Sequence, residues 1–375
     1  VKCLITGGAG FIGGFAAEKL LAEGYEVTLF DNLREQVHGG KAPDYLPKDA
    51  HLVVGDVRDR DALAKEVKRA DWIVHLAAAV GVAQSQYEIR DYCDNNVTGT
   101  ATLCDILAKE KHHVSKLMVA SSMTLYGEGV YKRPSDGALV RPPVRTEADV
   151  AKNWEPLDPD TGEALVPWHT PETAALHGPG VYAVTKRAQE DLVLNMDATY
   201  DIPSVALRFF NVYGPRQSLN NPYTGVLAIF ISRALNGKAP LVYEDGKQTR
   251  DFIHVRDVAD AIFASLAETV RDARINIGSG RGTEIGELAA KLCGRINPDL
   301  KPDICGKFRK GDIRHCVADN TLAIKRLTLK PSVCSVSLEE GIEDLLNWSA
   351  SQTPVDNSEK ALAELEKFKL GARGE

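Results

Sequence analysis

Three glycines limit what this chain can fold into. Gly7, Gly10 and Gly13 lie in the run Gly7-Gly8-Ala9-Gly10-Phe11-Ile12-Gly13, between a strand-like segment, Lys2–Thr6, and a helical pattern over Phe11–Glu23. Glycine at 7 permits a tight turn, and at 10 it lets backbone approach a pyrophosphate. At 13 it lets helix and strand pack closely. Such a turn sets phosphates on a helix N-terminus.

The rest of the first half agrees with that start. Glu26–Phe30, His51–Val54, Trp72–His75, Lys116–Ala120 and Pro203–Leu207 read as short buried strands. Asp59–Lys68, Tyr87–Lys109 and Val181–Thr199 read as helices between them. The alternation predicts an α/β fold, a Rossmann-like doubly wound parallel sheet covered on both faces. After residue 212 the pattern changes to a smaller mixed α/β lobe with helices at Gly225–Leu235, Val255–Ala267 and Ile285–Leu292. We expect a dinucleotide-binding domain over 1–212, a substrate-binding lobe over 213–352 with strand exchange between the two, and a tail over 353–375. The tail carries one weak helical pattern, Lys360–Lys369. Residues 128–179 are polar and Pro-rich, too long for an ordinary loop, and read as an inserted lid or flap.

Asp31 ends the second strand, where a carboxylate accepts hydrogen bonds from ribose hydroxyls and repels a 2′-phosphate, so NAD is expected over NADP; Arg34 opposes that preference. Asn32, Val57, the Leu76-Ala77-Ala78 turn and Ser121 are expected to line the cofactor, and Asp56 to receive the adenine amine. Tyr182 and Lys186 lie four apart, on one face of a helix. An ammonium beside a phenol favours the phenolate, which a base needs to take a hydroxyl proton while a hydride leaves the same carbon.

Lys and Arg number 45 against 52 Asp and Glu, a net charge of −7, which disfavours nucleic acid or anionic membrane as partner. No apolar run reaches the ~20 residues of a membrane span. Seven scattered cysteines lack zinc-ligand spacing, and the sequence opens without a signal-peptide pattern; the expectation is a reduced, cytoplasmic protein with no metal. His75 and His254 read as satisfied core residues.

Taken with Asn96 and Ser121-Ser122-Met123-Thr124-Leu125-Tyr126-Gly127, these motifs resemble the extended short-chain dehydrogenase/reductase family, in particular its nucleotide-sugar epimerases and dehydratases, over roughly residues 1–350. The resemblance implies that Tyr182 is the acid/base, that Lys186 binds the nicotinamide ribose and lowers the tyrosine pKa, and that Ser122 positions the sugar hydroxyl with Thr124 beside it. Asn96 would help to hold that geometry at the cofactor. It further implies substrate contacts at Met123, Asn211, Arg250, Arg309 and Asp312, and a homodimer.

Dehydratases of this family typically carry Asp-Glu after the serine, and decarboxylases a Glu at the second position. Met123 and Thr124 stand there instead, which points to a 4-epimerase. Residues Gln217–Phe230 and the long insertion resemble the dTDP-L-rhamnose 4-epimerase branch, whose insertion often holds Cys-Pro-x-Cys-Gly; Asp158-Pro159-Asp160-Thr161-Gly162 here lacks both cysteines. The alternatives are a UDP-glucuronate or UDP-glucose/galactose 4-epimerase, a net dehydrogenase or reductase, and a non-catalytic nucleotide sensor. Asn211 counts against a uronic acid, although Lys132, Arg141, Arg145 or Arg216 would bind its carboxylate were the insertion to fold over the site.

Overall fold

The computed structural model describes residues 1–309, 311–328, 333–368 and 370. Its main sheet has seven parallel strands in the order Ala273–Ile277, Ser204–Phe209, Lys116–Ser122, Trp72–His75, Lys2–Thr6, Glu26–Asp31, His51–Val54. Every residue of Lys116–Ser122 and of Ser204–Phe209 is buried, as a sheet covered on both faces requires. Helices Phe11–Ala22 and Val255–Ser265 pack on one face through Ala16, Leu20, Val258 and Ile262. Helices Arg60–Val67, Gly99–Lys109 and Val181–Tyr200 cover the other through Leu63, Leu103, Ile106 and Val193. The strand order reverses beside Lys2–Thr6, and ligands of such sheets bind in the crevice outside the strand ends there.

The second region has its own apolar core, including Leu227, Phe230, Leu288, Leu292 and Leu345. Asn211–Tyr213, Thr249–His254, His315–Ala318 and His169–Thr170 form its larger sheet, with Gly282–Glu284 antiparallel on Thr249–His254.

Four features bear on the sequence reading. The helix expected over Tyr87–Lys109 begins at Ile89 and carries a π-helical turn over Cys93–Thr98. Val255–Ser265 and Ala273–Ile277 return to the first sheet, an exchange of the expected kind across residue 212. The insertion folds a three-stranded antiparallel sheet from Tyr131–Lys132, Leu139–Val140 and Val166–Pro167, then pairs His169–Thr170 with Val317 and Ala318. The tail holds a real helix, Ser358–Lys367; Lys369, where the sequence pattern ended, lies outside the described residues.

Candidate active site

One cavity of about 710 Å3 connects the glycine turn to the second region. Gly7 has φ +67, and a Cβ there would lie 2.8 Å from the Ala77 amide nitrogen; a Cβ at Gly13 would lie 2.6 Å from the Gly7 carbonyl. No side chain caps the Phe11–Ala22 helix, and its first turn holds no acid. Its N-terminal amides are therefore left uncapped by side chains, a fit for the pyrophosphate of NAD. Gly7, Gly10, Phe11, Ile12, Gly13, Asp31, Asn32, Val57, Leu76, Ala77, Ala78 and Ser121 all line this cavity.

Two expected cofactor residues are engaged elsewhere. The Asp56 carboxylate is held by Arg58 (2.7 Å) and Asn32 (3.0 Å), and its neighbours Gly55 and Val57 line the cavity in its place. Arg58 holds that carboxyl well below the usual carboxylate range, with burial opposing and Asn32 assisting. Asn96 is fully buried in the π-turn. Its Oδ1 accepts from the Ala79 amide (2.7 Å), and its Nδ2 donates to the Ala79 carbonyl (3.1 Å) and to Thr185 Oγ1 (3.0 Å). It thus fixes the cofactor-lining turn to the helix bearing Tyr182 without facing the cavity itself. Asp31 accepts from the Ala9 and Leu33 amides (3.1 and 2.9 Å), and His38 Nε2 lies 3.7 Å from it. Arg34 pairs with Asp91 at 2.8 Å.

Ser122, Thr124, Tyr182 and Lys186 meet on the cavity wall. Ser122 Oγ accepts from the Thr124 hydroxyl at 2.9 Å. Burial pushes the Tyr182 phenol up to about 12, and a hydrogen bond with Ser122 pulls it back. Lys186 is not what acts on that phenol here: its Nζ donates to Gln189 Oε1 at 2.6 Å, and Gln189 is itself anchored to Thr100 at 2.8 Å. Burial brings the Lys186 ammonium down to about 7, with Glu190 opposing. Glu190 also accepts from Ser121 (2.6 Å) and Arg208 (2.6 Å) at full burial. The sequence reading overlooked it, although it repeats the Tyr182/Lys186 spacing one step further along the same helix face.

At the other end, Asn211, Arg250, Arg309 and Asp312 line the cavity as expected. Arg309 Nε donates to Asp312 at 2.9 Å, and the guanidinium lies 4.1 Å from the Tyr243 ring centre. Among the described residues, the Asn211, Gln217 and Gln248 amide oxygens are buried without a hydrogen-bond partner, leaving three acceptors for ligand donors. Gln217 and Gln248 escaped the sequence reading because nothing local distinguishes them.

None of the four cations considered for a sugar carboxylate lines the cavity. Arg141 donates to the Ala175 and Tyr126 carbonyls, and Arg145 pairs with Glu244 at 2.7 Å. Arg216 pairs with Glu18 at 2.7 Å, and Lys132 sits 3.6 Å over the Trp168 ring. Of residues 128–179, Pro179 alone lines the cavity, whereas Ser358, Ala361, Leu362 and Leu365 of the tail do. Among the described residues, no cluster of His, Cys, Asp or Glu suits a metal ion, and no helix is long and apolar enough to cross a membrane.

The chain matches the model of the NAD dependent epimerase/dehydratase family over residues 3–149 and 164–278. It is 38% identical over 357 residues to dTDP-L-rhamnose 4-epimerase of Burkholderia thailandensis, covering 94% of this chain and 95% of that protein. It is 32% identical over 293 residues to UDP-N-acetyl-alpha-D-glucosaminuronate decarboxylase of Bacillus cytotoxicus, with coverage of 78% and 79%. The structure resembles UDP-glucose 4-epimerase of Thermotoga maritima, solved with UDP-glucose, with a TM-score of 0.75, 29% identity, and coverage of 93% and 99%.

Proposed function

The chain belongs to the NAD-dependent epimerase/dehydratase family, and from that membership and its own site we propose that it is a nucleotide-diphosphate-sugar 4-epimerase. The observation that carries the reading is the composition of the wall around Ser122 and Tyr182. Met123 and Thr124 supply no carboxylate there. The cavity acids at the far end are committed, Asp312 to Arg309 and Glu244 to Arg145 and Arg314. Family membership spans epimerases and decarboxylases alike. A wall without an acid favours reversible proton transfer over elimination.

Bound NAD supplies a hydride acceptor for C4–H and, once the ketone has turned over, the donor that reduces its other face. Tyr182 removes the O4 proton and later returns it. Ser122, steadied by Thr124, hydrogen-bonds the same oxygen, and Lys186 lies on the nicotinamide-ribose side. Arg250 and Arg309 hold the diphosphate tether while the sugar turns.

Among substrates, a 6-deoxyhexose on dTDP is the best fit. Val80, Met123 and Phe210 offer a C6 methyl an apolar wall, and the Burkholderia relative acts on dTDP-L-rhamnose. The four cations considered for a uronic acid, Lys132, Arg141, Arg145 and Arg216, are all engaged away from the cavity, which counts against that substrate. Two copies pair, in this proposal, through the adjacent helices of residues 89–109 and 181–200, where Ile89 and Val184 are exposed. The test incubates the chain with UDP- and dTDP-sugars and reads C4 configuration by NMR. A 4-epimer pair should interconvert without net NADH, and Tyr182→Phe should slow it about 10²- to 10⁴-fold. Full activity in Tyr182→Phe would sink the mechanism.

A further inference from the structure

The Ser358–Lys367 helix lies beyond the family-matched residues, yet it forms part of the cavity. Ser358, Ala361, Leu362 and Leu365 follow the spacing of one helix face, and all four line it. At its N-terminal end, Val355 N and Asn357 Nδ2 donate to Asn220 (both 2.8 Å), and Ser358 accepts from the cavity residue Arg233 at 2.6 Å. Lys238 pairs with Asp356 and Glu359 at 3.3 and 2.9 Å. At its other end, the Tyr223 hydroxyl donates to Glu364, and the Tyr87 hydroxyl, 3.0 Å from that carboxylate and 2.6 Å from the Tyr223 oxygen, donates to one of the two. Phe368 stacks on Tyr87 with ring centres 4.6 Å apart. Tyr87 belongs to the first region and Tyr223 to the second, so Glu364 ties both regions across the cavity.

We propose that this helix is a wall of the substrate site: Ala361, Leu362 and Leu365 enclose the nucleotide sugar, and the Tyr87–Glu364–Tyr223 clamp keeps that wall closed during turnover. The inference rests on the epimerase reading above. The 4-keto sugar must stay bound while it turns, because its escape would leave the cofactor reduced and the enzyme stalled. A closing wall meets that need.

The test uses the full chain and the variants Glu364→Ala, Tyr87→Phe and Leu362→Glu. UDP and dTDP binding are followed by calorimetry and stopped-flow displacement, alongside KM and kcat for the converted sugar. Opening the clamp should weaken nucleotide binding about tenfold, through faster dissociation, raise KM in parallel, and let bound NADH build up during turnover as the ketone escapes. Bound UDP should protect the Ser351–Asn357 link from protease in the parent chain and fail to do so in Glu364→Ala. A parent that converts sugars, with all three variants keeping its nucleotide dissociation rate and KM, overturns the wall alone. A parent that converts no sugar, yet loses UDP affinity in Glu364→Ala, overturns the reaction and leaves the wall standing.

Discussion

The insertion of residues 128–179 and the C-terminal helix are both appended to the doubly wound core, but they are held by opposite means. The insertion is pinned by buried charge. Arg145 meets Glu244 and Glu128 (2.7 and 3.4 Å), Arg314 meets Glu244 and Asp245 (2.8 and 2.6 Å) as well as Glu155, and His315 meets Glu155 at 2.9 Å. Both guanidinium groups are almost wholly buried. Charges removed from water tolerate one arrangement, the one that pairs them all, so this appendage has a single seat. The C-terminal helix instead lays an apolar face along the cavity and is tied by polar groups at its two ends. The Glu364 tie joins a carboxylate to neutral hydroxyls; at the other end Asp356, 4% exposed, is the buried charge, paired with Arg233 and Lys238. The first appendage shapes the site from behind, since Arg145 also donates to the Asp312 carbonyl at 3.2 Å. The second meets the cavity directly.

The largest expected effect tests the fixed seat. Arg314→Met leaves Glu244 and Asp245 short of a partner and should cost about 3–5 kcal/mol of stability, read from denaturant midpoints. A loss below about 1 kcal/mol would erase the contrast. Next comes the core beneath both appendages. The Lys186 ammonium falls from 10.5 to about 7 on burial, so between those values the unfolded chain binds a proton that the folded chain does not. Stability should therefore rise between about pH 7 and 10.5, by on the order of 1 kcal/mol per pH unit, and level off below 7. Lys186→Met should flatten that slope while abolishing turnover. A slope unchanged by the substitution would show that this lysine is not the titrating group.

Arg145→Lys keeps the charge but loses the planar fork. It should raise KM about tenfold by loosening the Asp312 loop, with kcat little changed. Equal losses in kcat and kcat/KM would place its effect in the transition state. Smallest of all, Trp168→Ala on the exposed side of the insertion should leave KM unaltered and stability within about 0.5 kcal/mol. A raised KM there would mean that the insertion does close over the substrate.

Local pattern disclosed the parts of the molecule that local forces decide. The glycine turn, the strands from Lys2–Thr6 to Lys116–Ser122, and the Tyr182/Lys186 face depend on spacing within a few residues. The π-turn at Cys93–Thr98 was hidden because it is the bonds from Asn96 to Ala79 and Thr185 that fix it. Arg58 beside Asp56, and Gln189 beside Lys186, are neighbours in sequence whose side-chain choices only the packed structure reveals. The role of the tail was hidden too. Its weak apolar stripe means little until Tyr87 and Tyr223, distant in sequence, come together beneath it.

The return of Ala273–Ile277 to the main sheet ties the fate of the two halves together. A fragment ending at residue 212 would leave Ser204–Phe209 as a raw sheet edge and strip the Val255–Ser265 helix from Phe11–Ala22. Neither half is therefore a folding unit in its own right, and the chain should melt in a single calorimetric transition. Mass action then reaches the whole molecule from either end. In the proposed site, a nucleoside diphosphate held beside Arg309 should raise the melting temperature of the whole chain, the glycine turn included, as a dinucleotide on that turn should.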